Sequence, residues 1–185
     1  MRWPCVSLVV TMAMAMTAAC GGGDDDGGSD GGASLVLTSS EIDQDGAFPI
    51  DYTCEGQDVS PPMAWEGGAG AAGFGVALVD ETNGLIHWVL WDIPANVSSL
   101  PEGIEKTAEP DEPSGSKQSQ AFDGATRGWL GPCPDETHDY LIRLYAVDEH
   151  PLPGVTLDTG RVDLLAALES SALAHADLRA AYQPQ

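Results

Sequence analysis

Residues 86–93, Ile86-His87-Trp88-Val89-Leu90-Trp91-Asp92-Ile93, decide how the chain folds. Apolar side chains stand on both alternating faces of this run, and a segment greasy on both faces suits a central strand covered from above and below. Working outward, short apolar runs recur at Ser34 to Thr38, Phe74 to Asp80 and Tyr140 to Val147, separated by Gly, Pro, Asn and Asp. This punctuation predicts an all-β sandwich or barrel. Near the C-terminus Asp158 or Thr159 is placed to cap a helix in which Val162, Leu165, Leu168 and Ala172 share one face. Ala174, Ala176, Leu178, Ala180 and Tyr182 then alternate with more polar neighbours, which reads as a short edge strand; a continuous helix is the alternative because Ala favours it. Between Pro94 and Gly131 lies a long stretch rich in Pro, Gly, Ser and charge. Such loops are functional or mobile, with solvated filler as the plain alternative.

The chain has 185 residues and a formal net charge of -22, from 29 acids against 7 Lys and Arg. One compact domain with its own core fits that length once the leading segment is set aside. So little positive surface disfavours a nucleic-acid partner, because counterions cannot be displaced from phosphates. The same field repels free multivalent anions at long range. Any phosphate site must therefore rest on local donors, and a zwitterionic headgroup fits better.

Residues 1–19 have the anatomy of a secretory signal, with an apolar run too short to span a bilayer and Thr17-Ala18-Ala19 ahead of Cys20. Small residues before a cysteine resemble a bacterial lipobox, so Cys20 is expected to be acylated and to anchor the protein on a membrane; cleavage without a lipid is the rival. Residues 20–33, nearly all Gly and Asp, read as a tether, and residues 34–185 as the folded domain. Export would leave Cys54 and Cys133 in an oxidising compartment, where a disulfide is the default and buried thiols or a two-cysteine metal site are the alternatives.

Polar groups sit where a β scaffold normally places apolar ones. His87 lies inside a greasy strand, Asp80 closes another, and His138 precedes Tyr140 by two residues, so those two project from one face. Asp58-Val-Ser60-Pro61-Pro62-Met-Ala-Trp65 and Gly131-Pro132-Cys133-Pro134 are stiff turns beside the two cysteines, and a bridge between these would draw them into a small cleft. Two His and an Asp are also the makings of a zinc site, and a His-Asp pair can activate a serine such as Ser60. No helical motif pairs two ligands and no strained-Gly nucleophile turn is present. The reading is therefore binding without catalysis, cofactor or metal.

Taken in order, Asp58-x-Ser60-Pro61 with Trp65, the strand ending at Asp80, His87-Trp88, Gly131-Pro132-x-Pro134 and His138-x-Tyr140 resemble phosphatidylethanolamine-binding proteins, notably their bacterial Raf-kinase-inhibitor-like branch, over essentially Ser34 to Tyr182. The resemblance implies a Greek-key antiparallel β-sandwich of a large and a small sheet with a C-terminal helix. It also implies a pocket for phosphate-like anions or phospholipid headgroups. By the same resemblance His87 and His138 are the pocket imidazoles, Asp80 is the acid beside them, Asp58 supports the first loop, Tyr140 supplies a phenol and Pro134 shapes the rim. The alternative partner is a protein: the family contains protease and kinase inhibitors, and the loop from Glu105 to Gly128 would be the contacting surface. The chain departs from the family pattern at Glu81-Thr82-Asn83 and at Asp135, which is expected to lie near the mouth and disfavour anions.

Overall fold

The computed structural model describes residues 34–185. Its elements run β1 (Val36–Thr38), β2 (Gly46–Ala47), β3 (Met63–Glu66), β4 (Gly73–Asp80), β5 (Ile86–Pro94), β6 (Ser99–Leu100), β7 (Lys117–Gln118), β8 (His138–Val147), α1 (Arg161–Ser170) and β9 (Ala172–Tyr182). The chain is mainly β, with a three-stranded sheet ordered β1-β3-β6, a six-stranded sheet ordered β2-β9-β8-β4-β5-β7, and one α-helix. The β3 strand lies where the sequence reads only as a Pro-stiffened turn, because four residues after two prolines are too few to display a period.

The strand β5 is buried along both faces up to Ile93, as its composition requires. On one side Val76, Leu78, Trp88 and Leu90 join Leu37, Trp65 and Leu100 of the small sheet in a single core. On the other, Ala77, Val89 and Trp91 meet Leu164 and Leu168 of α1. The helix lies so close to β4 that a Cβ at Gly75 would come within 2.4 Å of Leu168 Cδ2. A side chain at that position would have to push Leu168 aside.

Three sequence expectations are corrected. First, the helix buries Leu164 and Leu168, whereas Val162 is 72% exposed and Ala172 already belongs to β9. Residues two apart on a helix point about 200° away from each other, so Val162 and Leu164 cannot share a face. The phase is set from outside the helix: Arg161 donates from Nε to Ile86 O (2.8 Å) and from Nη1 to Gln120 O (2.7 Å). The N-cap is Gly160, with no side-chain cap, since Thr159 Oγ1 accepts from Thr156 N–H instead. Second, β9 is neither short nor outermost. It has 11 residues, pairs along β8, and carries β2 on its far side through Gly46 opposite Ala180 and Ala47 opposite Ala181. Third, residues 94–131 are not solvated filler, because the segment packs into the fold. Pro110, Pro113, Ser116, Gln118, Ser119, Ala121 and Trp129 are buried, and the Gln118 side chain donates to Glu105 O (2.6 Å) and Thr107 O (2.9 Å) while accepting from Trp88 Nε1 (2.8 Å). A segment poor in apolar residues is held here by a buried amide that satisfies the backbone of its own loop.

Candidate functional site

The site lies at one end of the large sheet, where β4 turns into β5 and β8 begins. Asp80 ends β4 opposite Tyr140 on β8. Its carboxylate is 2% exposed and fully engaged: Oδ1 accepts from the N–H groups of Thr82 (2.9 Å) and Asn83 (3.3 Å), and Oδ2 accepts from His138 Nδ1 (2.6 Å). Glu81-Thr82-Asn83 thus forms a tight turn capped by the same acid that orients His138.

His87 reaches the site through an irregularity. Leu78 pairs with Trp88 and Val79 with Ile86, so His87 is an extra residue on β5 and the register shifts there. Ile86 consequently packs on the helix side with Val89 and Trp91, and the His87 ring stands edge-to-face with Tyr140, which belongs to the core between the sheets, at a centroid distance of 5.5 Å. Bulges of this kind re-aim side chains. His87 Nδ1 is 2.9 Å from Leu130 O, and a carbonyl can only accept, so Nδ1 carries the proton.

Leu130 belongs to a loop laced to the segment around Cys54. Trp129 Nε1 donates to Tyr52 O (3.1 Å), Gly131 N–H to Asp58 Oδ1 (2.8 Å), and Cys54 N–H to Pro132 O (3.0 Å). A disulfide joins Cys54 and Cys133 across a separation of 79 residues. A Cβ at Gly131 would fall 2.0 Å from Tyr52 O, so this crossing has room for glycine alone.

Together these elements wall a cavity of about 100 Å³ lined by Asp80, Asn83, Leu85, His87, Phe122, Cys133, Pro134, His138 and Tyr140. Five of the residues read from the sequence as ligand contacts, Asp80, His87, Pro134, His138 and Tyr140, therefore meet in one place. Asp58 does not line it; it acts behind the wall, tying Gly131 and accepting from Lys106 Nζ at 2.6 Å. Asp135 is exposed and is not among the lining residues, although its neighbour Pro134 is. Cys20 lies outside the described residues. Sequence reasoning missed Phe122, Asn83 and Leu85. Phe122 is 39% exposed, its ring 4.9 Å from His87, on a turn in which Asp123 accepts from Ala125 and Thr126. An aromatic alone in a polar run was the available signal.

Both imidazoles are held alike. Each is tied at Nδ1, and Nε2 of each has no hydrogen-bond partner among the described residues. Burial pushes the His87 pKa below its usual value, opposed by the Leu130 carbonyl and the Asp80 charge, so near neutrality the ring is uncharged and shows a lone pair on Nε2. Burial, reinforced by Asp80, raises the Tyr140 phenol pKa and keeps it protonated. Ser60, the serine considered as a nucleophile, is buried away from this wall, its Oγ accepting from Ile104 N–H at 2.9 Å.

A family model described as phosphatidylethanolamine-binding protein matches residues 38–183. A UPF0098 protein of Methanothermobacter thermautotrophicus is 34% identical over 145 residues, 75% of this chain and 91% of the relative. LppC of Mycobacterium tuberculosis, named as a lipoprotein, is 34% identical over 108 residues, covering 55% of this chain and 50% of its own length. Among solved structures, Escherichia coli YbcL, described as a new member of the mammalian PEBP family, superposes with a TM-score of 0.73 at 25% identity, covering 83% of this chain and 100% of YbcL.

Proposed function

The chain belongs to the phosphatidylethanolamine-binding protein family, and from that premise we propose that it is a noncatalytic envelope protein whose cavity takes a small oxyanion or the phosphoryl group of a phospholipid headgroup. One observation carries the reading: two imidazoles, each tied at Nδ1, leave their Nε2 atoms unpartnered at one small cavity. A protonated His87 Nε2–H donates to an oxyanion, and Leu130 O and the nearby Asp80 charge stabilise the imidazolium that results. Ser60, the serine weighed as a nucleophile, is not among the lining residues. Envelope placement draws on the signal-like leader with Cys20 and on the relative named as a lipoprotein. Substituting Cys20→Ser is expected to release the protein from membranes and abolish labelling by a palmitate analogue; unchanged fractionation would remove the anchor from the proposal.

The binding reading makes a pH prediction. His87 faces Asp80, His138, Tyr140 and the more distant Arg161, and its pKa lies below the usual His value of about 6.5 when the site is empty. A bound anion raises that pKa, so binding takes up a proton and strengthens as pH falls from 7.5 toward 6, by up to about tenfold per unit. Sulfate does not titrate in this range and isolates the protein's contribution. Calorimetry with phosphate and sulfate, with imidazole NMR on wild type and His87→Ala, checks it. Saturable shifts at His87 and His138 that vanish in the variant are expected. No response at millimolar phosphate would sink the headgroup reading. The same depressed pKa costs stability as pH falls below about 6.5, because the unfolded chain then binds a proton that the folded one does not.

A further inference from the structure

The turn between β4 and β5 holds a polar group that the imidazole site does not use. Asn83 Oδ1 accepts the backbone N–H of Leu85 at 2.8 Å. An amide nitrogen cannot accept that bond, so the orientation of the carboxamide is settled by chemistry: oxygen toward Leu85, NH2 away from it. The NH2 group makes no hydrogen bond among the described residues. Asn83 is exposed, at the solvent side of the wall it shares with His87, His138 and Tyr140. Its backbone is pinned by the bond from its own N–H to Asp80 Oδ1, and Gly84 follows in the left-handed region (φ 77°), which closes the turn.

We propose that Asn83 Nδ2 is a third donor to the bound oxyanion and a specificity determinant of this chain. The inference rests on the anion-binding reading of the cavity. It answers a difficulty that reading leaves. With His87 uncharged near neutrality, Nε2 offers a lone pair and no proton, and the field of a chain with net charge -22 opposes an anion at long range. An amide N–H donates at every pH and needs no proton taken from solvent. The residue that stands in the altered family segment thus supplies a neutral amide donor beside the two imidazoles, fixed in place by the acid that orients His138.

The test is phosphate titration of the purified protein, with calorimetry and with the side-chain amide resonance of Asn83 followed by nitrogen-15 NMR. In wild type that resonance should shift saturably, with the same midpoint as the imidazole signals. Asn83→Ala should weaken phosphate binding by about tenfold or more, as loss of a hydrogen bond to a charged group does. Asn83→Asp retains an acceptor for Leu85 N–H but replaces the donor with a carboxylate, and should abolish binding while the protein stays folded by circular dichroism. If the imidazoles respond to phosphate but the Asn83 amide does not move, and Asn83→Ala binds as wild type does, Asn83 is only a turn residue and the anion site stands without it. If wild type shows no response at all, the anion-binding reading and this inference fall together.

Discussion

Replacing Trp88 by alanine is expected to destabilise the protein by about 4–7 kcal/mol, the sum of a large core truncation and an amide left without its partner. Trp88 is fully buried, its ring stands edge-to-face with Trp129 at 5.3 Å, and its Nε1–H reaches Gln118 Oε1 at 2.8 Å. Gln118 in turn holds Glu105 and Thr107, so the damage extends from the sheet into the segment that covers it. Against a total stability of about 5–15 kcal/mol for a typical domain, such a loss leaves a large unfolded fraction at ordinary temperatures. Trp88→Phe keeps most of the packing and isolates the hydrogen bond, at about 1–3 kcal/mol. Urea unfolding followed by circular dichroism checks both variants. A loss below about 2 kcal/mol in Trp88→Ala, with an unchanged denaturant slope, would mean that the 105–128 segment is held by something other than the Trp88–Gln118 bond.

Breaking the Cys54–Cys133 disulfide is expected to cost about 2–4 kcal/mol, since the bond closes a long loop of the unfolded chain. The separation of 79 residues puts it at the upper end of the chain-entropy range. For a domain of this size the melting temperature should fall by about 5–15 °C. Binding should weaken as well, because Cys133 lines the cavity and Leu130, three residues earlier, fixes the His87 tautomer. The fall in affinity stays partial, since the Asp58–Gly131 and Cys54–Pro132 hydrogen bonds remain to hold the loop. Both cysteines are exposed, so dithiothreitol can reach them. Thermal melts and phosphate titrations with and without reductant, and of Cys54→Ser with Cys133→Ser, measure the two effects. A melting temperature indifferent to reduction would show that the hydrogen bonds alone hold the two turns together.

How far the molecule could be read in advance differs from element to element. The run around Trp88 announced a strand buried on both faces because side-chain period and composition are local properties, and burial follows from them wherever the strand ends up. The long strands β4, β5 and β8 were legible to within about two residues for the same reason. Two-residue strands such as β2, β6 and β7 were not, since a pair of residues has no period; they exist because a neighbour offers them hydrogen bonds. Helix phase failed similarly. Val162 looks as apolar as Leu164, and only the grip of Arg161 on Ile86 O and Gln120 O decides which of them faces the sheet.

Of the site, the sequence alone determined which residue types are out of place in a β core, Asp80, His87 and His138, because a buried ionisable group needs a partner wherever it lies. It also determined that two cysteines remain for the folded domain, though not that they pair. What only the tertiary structure decided is which groups meet. A register shift at His87 turns its ring toward Tyr140, a turn capped by Asp80 brings Asn83 into the wall, and the packing of loop 129–134 onto Tyr52 and Asp58 supplies the Leu130 carbonyl that sets the His87 proton. The physical reason is range. Propensity and period act between near neighbours along the chain, whereas a hydrogen bond such as His138 to Asp80 spans 58 residues and forms only where the sheet register carries both strands to the same end.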